Sequence, residues 1–119
     1  EAFEKIQIAI NNYPKGEYYL QRAEIYFIWE NYPNALKDYG KAFSIENINK
    51  ISKAEIFNKR GICHYKLGNY NKARKDFLSA VQMDPSNANY FYNRGLATQK
   101  LGYENYAQED FEKAKELAK

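Results

Sequence analysis

Laid against itself at an offset of 34 residues, the sequence superposes Phe57, Gly61, Gly68, Ala73, Phe77 and Ala80 on Phe91, Gly95, Gly102, Ala107, Phe111 and Ala114. An offset of 38 carries Tyr19, Ala23, Tyr32, Ala35, Tyr39 and Ala42 onto Phe57, Gly61, Tyr70, Ala73, Phe77 and Ala80. A third, of 71, places Ala2, Ile6, Ala9 and Pro14 on Ala73, Phe77, Ala80 and Pro85. Four segments therefore share one template, the first of them as half a template. Tandem copies of this length constrain the fold strongly. A single copy cannot cover its own apolar face, so neighbouring copies must cover it for one another.

Within each copy the spacing is helical. Phe57, Gly61 and His64 step by four and three, as do Ala73, Phe77 and Ala80, which puts each set on one helix face. Gly68 lies between the two runs, where a helix end favours a residue that tolerates positive φ, and Asn69 follows as a candidate N-cap. Pro85 closes the copy, and Ser86 or Asn87 can cap the next helix. Pro33 falls in the first turn of its helix, where a missing N–H costs nothing. The pattern predicts seven helices, at about 2–12, 17–30, 33–45, 53–67, 70–82, 87–101 and 104–118. The loops are short, except that the stretch from Glu46 to Lys53 holds four extra residues.

Small and aromatic residues alternate between columns. Ala23, Gly61 and Gly95 on the first helices, and Ala35, Ala73 and Ala107 on the second, let two antiparallel helices approach closely. Tyr19, Phe57 and Phe91, with Tyr39, Phe77 and Phe111, fill the space between copies, which uses part of a supply of twelve Tyr and seven Phe.

The residues Phe57, Gly61, Tyr65, Gly68, Tyr70, Ala73, Phe77, Ala80 and Pro85 resemble the tetratricopeptide repeat signature at its 34-residue period. The 88–119 copy follows it with Glu104 in place of a tyrosine, and the 16–49 copy departs at Glu30, where Gly is usual, and at Asn47, where Pro is usual. Residues 1–15 resemble the second helix of a preceding repeat. The resemblance implies an all-α fold, with tandem antiparallel helix hairpins stacked as a right-handed superhelical solenoid. It divides a single domain, 1–119, into a half repeat 1–15 and repeats 16–53, 54–87 and 88–119, and the opening inside a helical pattern suggests a fragment of a longer protein. It also implies a protein–protein interaction module with no catalytic activity and no cofactor.

The residues agree with that reading. One His and one Cys cannot supply the four ligands of a structural zinc site, and no nucleophile elbow, phosphate-cradling Gly-rich loop or H-E-x-x-H motif is present. His64 shares a column with the aromatic Tyr26 and Cys63 one with Ala97 and Ile25, so both are expected in the core, with His64 hydrogen-bonded there. A net charge of +3 with interleaved signs gives no reason to expect nucleic acid or a membrane surface as partner. No apolar run approaches the ~20 residues of a transmembrane helix. A lone cysteine and the lack of a signal pattern suit a cytoplasmic setting.

Two charged columns recur: Arg22, Arg60 and Arg94, and Asp38, Asp76 and Asp110. We expect these to pair as Arg–Asp bridges between neighbouring helices. In the family this chain resembles, one face of each repeat's first helix lines a concave groove. Carried over column by column, the groove residues are Leu20, Glu24 and Phe27 in the first complete repeat, Asn58, Ile62 and Tyr65 in the second, and Asn89, Tyr92, Asn93 and Leu96 in the third. Amides that both donate and accept suit an extended peptide backbone, and the aromatic and aliphatic groups suit anchor side chains.

A subgroup of the family clamps the acidic C-terminal tail of chaperones with Lys, Asn, Asn, Lys and Arg. The corresponding columns here hold Leu20, Glu24, Lys59, Asn89 and Asn93, so no chaperone carboxylate clamp is expected. Two other readings remain: an architectural segment that self-associates through exposed terminal helices, whose last helix shows Phe111, Ala114 and Leu117; and RNA binding of the kind seen in pentatricopeptide repeats, which the Gly/Ala/Phe/Pro template and the weak charge disfavour.

Overall fold

A computed structural model describes residues 1–45 and 48–119. Glu46 and Asn47, the first residues of the insertion and the site of the missing proline, lie outside the described residues. The described residues form an all-α helical repeat fold: α1 (Ala2–Asn12), α2 (Gly16–Ile28), α3 (Tyr32–Ala42), α4 (Lys50–Lys66), α5 (Tyr70–Met83), α6 (Ala88–Lys100) and α7 (Glu104–Leu117). The helices fall into two compact units, Glu1–Ile48 and Asn49–Lys119. In the first, α1 packs on α2 and α2 on α3. In the second, α4 to α7 lie in series, with α6 also touching α4.

Helix α4 begins three residues before the sequence pattern suggests, because Asn49 caps it: the Asn49 side chain accepts a hydrogen bond from the Ser52 backbone N–H at 2.8 Å. The cap turns part of the insertion into an extra helical turn. Asn87 does the same for α6 by accepting from the Asn89 N–H at 3.0 Å. Asn69 stands at the N-cap of α5 as expected, but its side chain makes no capping bond. Its backbone N–H is used instead to close the preceding helix.

That closure is common to all three hairpins. Gly68 donates to the Tyr65 carbonyl at 3.0 Å and Asn69 to the His64 carbonyl at 2.8 Å, the paired bonds of a Schellman end. Gly102 and Tyr103 repeat the pattern onto Gln99 and Thr98, and Glu30 and Asn31 onto Phe27 and Tyr26. The motif needs a left-handed residue. Gly68 (φ 82) and Gly102 (φ 90) provide it freely, whereas Glu30 (φ 60) does so with a Cβ. The left-handed conformation costs an L-residue about 1–2 kcal/mol, of which glycine's greater unfolded-state freedom returns up to about 1 kcal/mol. Glu30→Gly is therefore expected to raise stability by roughly 0.5–1 kcal/mol, read as a higher urea midpoint with an unchanged m-value.

The close-approach columns work as the small residues suggest. A Cβ built on Gly61 would stand 2.7 Å from Cε1 of Phe77, and one on Gly95 would stand 2.6 Å from Cε1 of Phe111. Ala23, Ala35, Ala73 and Ala107 are fully buried, as is Tyr39. In the second unit the core runs between hairpins: Ala54, Ala80, Val81, Tyr90, Phe91 and Ala114 form one cluster. Ala73, Phe77 and Ala97 form another, against which Ile62 and Tyr65 pack.

The Arg and Asp columns meet inside every hairpin. Nε and Nη2 of Arg22 donate to the two carboxylate oxygens of Asp38 at 2.6 and 2.9 Å. Arg60 grips Asp76 at 2.8 and 2.8 Å, and Arg94 grips Asp110 at 2.9 and 2.7 Å. Each guanidinium also lies 5.5–5.6 Å from the ring of the aromatic three positions before it, Tyr19, Phe57 or Phe91. The hydrogen bonds that Arg22 donates to Asp38 are the main influence holding its guanidinium above the ordinary pKa. The planar fork of Arg explains why this column holds Arg throughout: it can pair bidentately at its edge while stacking on its face, which an ammonium cannot.

Candidate functional site

In the second unit the faces of α4 and α6 are tied by an amide pair, with Asn93 Nδ2 donating to Asn58 Oδ1 at 2.9 Å. Beside it opens a cleft of about 220 Å³, lined by Ile62, Tyr65 and Lys66 of α4, Phe77 of α5, and Asn93 and Leu96 of α6. The cleft arises from the packing already described. Gly61 lets the Phe77 ring come up against α4, and the ring then serves as part of the cleft wall. Asn93 has one amide hydrogen committed to Asn58, which leaves its carbonyl and second N–H for a ligand.

The expected groove residues of this unit therefore divide. Ile62, Tyr65, Asn93 and Leu96 come together in one cleft, with Asn58 orienting Asn93. Asn89 and Tyr92 line a separate hollow of about 300 Å³ with Phe111, Ala114 and Lys115. Tyr92 is half exposed there, with its ring 5.4 Å from that of Phe111. In the first unit Leu20, Glu24 and Phe27 are all partly buried on α2. Phe27 spends its ring edge-on to Tyr32 and Tyr39, at 6.1 and 6.4 Å, in closing its own hairpin. Two cleft residues, Lys66 and Phe77, were not among those named from the columns. Phe77 fills the core, as its column predicts, and forms part of the cleft wall as well. Lys66 shares its column with Ile28 and Lys100, a mixture that marks a position outside the conserved packing of the repeat.

The core assignment of Cys63 and His64 needs one correction. Cys63 is fully buried. The His64 side chain is largely buried but not hydrogen-bonded as expected: among the described residues Nδ1 has no partner, and Nε2 stands 3.8 Å from Asp76 Oδ2. At that distance Nε2 falls short of a hydrogen bond to a carboxylate whose two oxygens accept from Arg60. Burial lowers the His64 pKa below its ordinary value; Asp76 opposes this, and Arg60 and Lys72 add to it. The neutral imidazole is therefore the native form. Its contribution to stability is present above the ordinary histidine range and is lost as pH falls toward the depressed native value. The wild-type melting temperature is expected to drop between about pH 7.5 and pH 5. His64→Thr, the residue of the same column in the third repeat (Thr98), should reduce that drop, and an unchanged pH profile would remove His64 from the account.

No group of three or more His, Cys, Asp or Glu side chains is placed to hold a metal ion among the described residues. No helix among them is long and apolar enough to cross a membrane.

Compared with known proteins, residues 16–49 and 88–119 match the family profile described as tetratricopeptide repeat, and residues 63–102 match one described as TPR repeat. A 65-residue segment is 37% identical to the protein SGT1 homolog of Dictyostelium discoideum; it makes up 55% of this chain but only 16% of that protein. The second TPR of Spaghetti (RPAP3), solved bound to the HSP90 peptide SRMEEVD, is 28% identical, with a TM-score of 0.76 over 92% of this chain and 97% of that one. A crystal structure of MamA matches with a TM-score of 0.84 at 19% identity, covering 98% of this chain and 67% of MamA. A MamA double mutant reaches 0.88 at 17% identity, covering 98% and 64%. The MamA likeness is one of fold.

Proposed function

The chain belongs to the tetratricopeptide repeat family, and from that premise we propose that it is a protein–protein interaction module that holds a peptide or a segment of a partner protein on the first-helix faces of its repeats. It acts by binding and not by catalysis. The observation that carries this reading is the α4–α6 cleft, where apolar walls sit beside a pre-oriented amide. The walls take an anchor side chain, and the Asn58–Asn93 pair offers a donor and an acceptor to the adjacent backbone. The Spaghetti (RPAP3) domain, similar over nearly its whole length, holds a peptide, which supports the ligand class. The clamp columns hold Leu20, Glu24, Lys59, Asn89 and Asn93, so the ligand we propose is not gripped by a terminal-carboxylate clamp. A buried lone cysteine suits work in a reducing compartment such as the cytoplasm.

A displayed library of random peptides, selected on the chain, tests this. Tyr65→Ala combined with Asn93→Ala should weaken the selected peptides by at least about tenfold, the size of a lost anchor. Tyr13→Ala, at the exposed end of α1, should leave them unaffected. Peptides that bind the double variant as well as the wild type would remove the cleft from the function.

The hollow lined by Tyr92, Phe111 and Ala114 on the α6–α7 hairpin supports a second reading, self-association through this apolar face. Sedimentation at rising concentration decides it, since a strict monomer rules it out.

A further inference from the structure

The modest net charge conceals a local imbalance. Residues 49–83, the α4–α5 hairpin with its cap, carry eight Lys or Arg against two Asp or Glu, a net of +6 in a chain whose total is +3. Part of that charge is neutralised locally: Arg60 pairs with Asp76, and Lys59 with Glu55 at 3.4 Å. Lys66 and Lys72 are exposed and make no ion pair among the described residues, and the same is true of Lys100 on α6.

These three lysines surround one path. Lys66 stands at the α4–α6 cleft beside Tyr65. The Tyr65 ring meets Tyr70 edge-on at 5.1 Å. Lys100 lies 5.9 Å over the Tyr70 ring, and Lys72 lines with Tyr70 a depression of about 300 Å³ that the Tyr65–Tyr70 contact links to the cleft. The apolar cleft thus opens onto a rim of unpaired ammonium groups held around two tyrosines. At about 220 Å³ the cleft falls below the range for a drug-sized ligand, yet it exceeds a cavity of roughly 150 Å³ that holds benzene. It is the size for a single leucine, methionine or phenylalanine side chain.

We propose that cleft and rim form one site for an acidic segment of a partner protein, in which an aliphatic or aromatic side chain seats against Phe77 and Leu96 while neighbouring carboxylates meet Lys66, Lys72 and Lys100. This rests on the peptide-binding reading above and adds to it the charge of the ligand. None of the three lysines occupies a clamp column, so the site needs side-chain carboxylates and no free C-terminus. An internal segment serves. Exposed pairs are individually weak, and their sum supplies charge selectivity and speed of encounter more than affinity.

The test compares fluorescent ten-residue peptides on the intact chain: leucine flanked by aspartates, and the same peptide with lysines, each with an amidated C-terminus, and a ten-nucleotide single-stranded DNA. The acidic peptide is expected to bind about tenfold tighter than the basic one, the combined worth of three exposed ion pairs. Its affinity should fall as salt rises from 50 to 500 mM. Lys66→Glu, Lys72→Glu and Lys100→Glu together should abolish the preference, and the milder glutamine triple should reduce it if the glutamate variant folds poorly. Equal binding of the two peptides would overturn the charge assignment and leave the cleft reading standing. An acidic peptide indifferent to Leu96→Ala would overturn the cleft reading instead. Failure of both peptides to bind would overturn both readings, and DNA competing on equal terms would replace the protein segment with nucleic acid.

Discussion

Replacing Arg60 by methionine is expected to destabilise the second unit by about 2–4 kcal/mol, although the arginine itself is partly exposed. The cost lies with its partner. Asp76 is only 4% exposed, and without Arg60 its carboxylate is left in the hairpin seam with no bidentate donor. Orphaning one member of a buried pair typically costs about 3–5 kcal/mol, and we discount that range because Arg60 keeps 27% of its side-chain exposure and water can follow. Arg60→Met with Asp76→Leu should be less damaging than Arg60→Met alone, since the double change leaves no buried charge. Urea unfolding of the two single variants and the double variant reads this directly. A single-variant loss below about 1 kcal/mol would class the pair with ordinary surface bridges. Arg22–Asp38 and Arg94–Asp110 repeat the geometry and provide two further tests in the same protein. Arg22 has one more bond, to the Gln7 side chain on α1, so its loss should also loosen the α1–α2 contact.

Much of this was legible in the sequence because a repeat lets each position be read several times. One arginine proves little. Three at matching offsets, with three aspartates sixteen residues on, define a seam. The helix ends were legible for the same reason at Gly68 and Gly102, whereas Glu30 in that column reads as a departure and proves to keep the left-handed geometry regardless. Other features were hidden because they depend on residues far apart in sequence. That Lys66 lines a cleft is decided by α6, whose Asn93 and Leu96 close the other side. That His64 stands beside a carboxylate gripped by Arg60, 3.8 Å from it, is decided by Asp76 on the neighbouring helix. The basic hairpin was hidden differently, since averaging the charge over 119 residues cancels its +6 against the acidic remainder.

Phe77 gives the largest expected single effect. Its ring is 1% exposed and packs against both Ala73 and Ala97, so Phe77→Ala should cost about 3–5 kcal/mol. Because the same ring lines the α4–α6 cleft, a variant that remains folded should also lose peptide affinity, which links the core to the surface it supports. The approach of this ring to α4 is set by Gly61, where an added Cβ would meet Phe77 at 2.7 and 2.8 Å. Ring atoms of a buried aromatic cannot withdraw as the tip of a flexible side chain would, so Gly61→Ala should cost about 1–3 kcal/mol from overpacking. The first hairpin shows that the column is not closed to a methyl group in principle: Ala23 stands there, with Tyr39 in the column of Phe77, and both are fully buried. The difference must lie in how closely each pair of helices approaches, and a double variant measures it. Gly61→Ala with Phe77→Leu is expected to cost clearly less than the sum of its single changes, since the two side chains compete for one space. Simple additivity would mean that the glycine is required for some other reason than the ring.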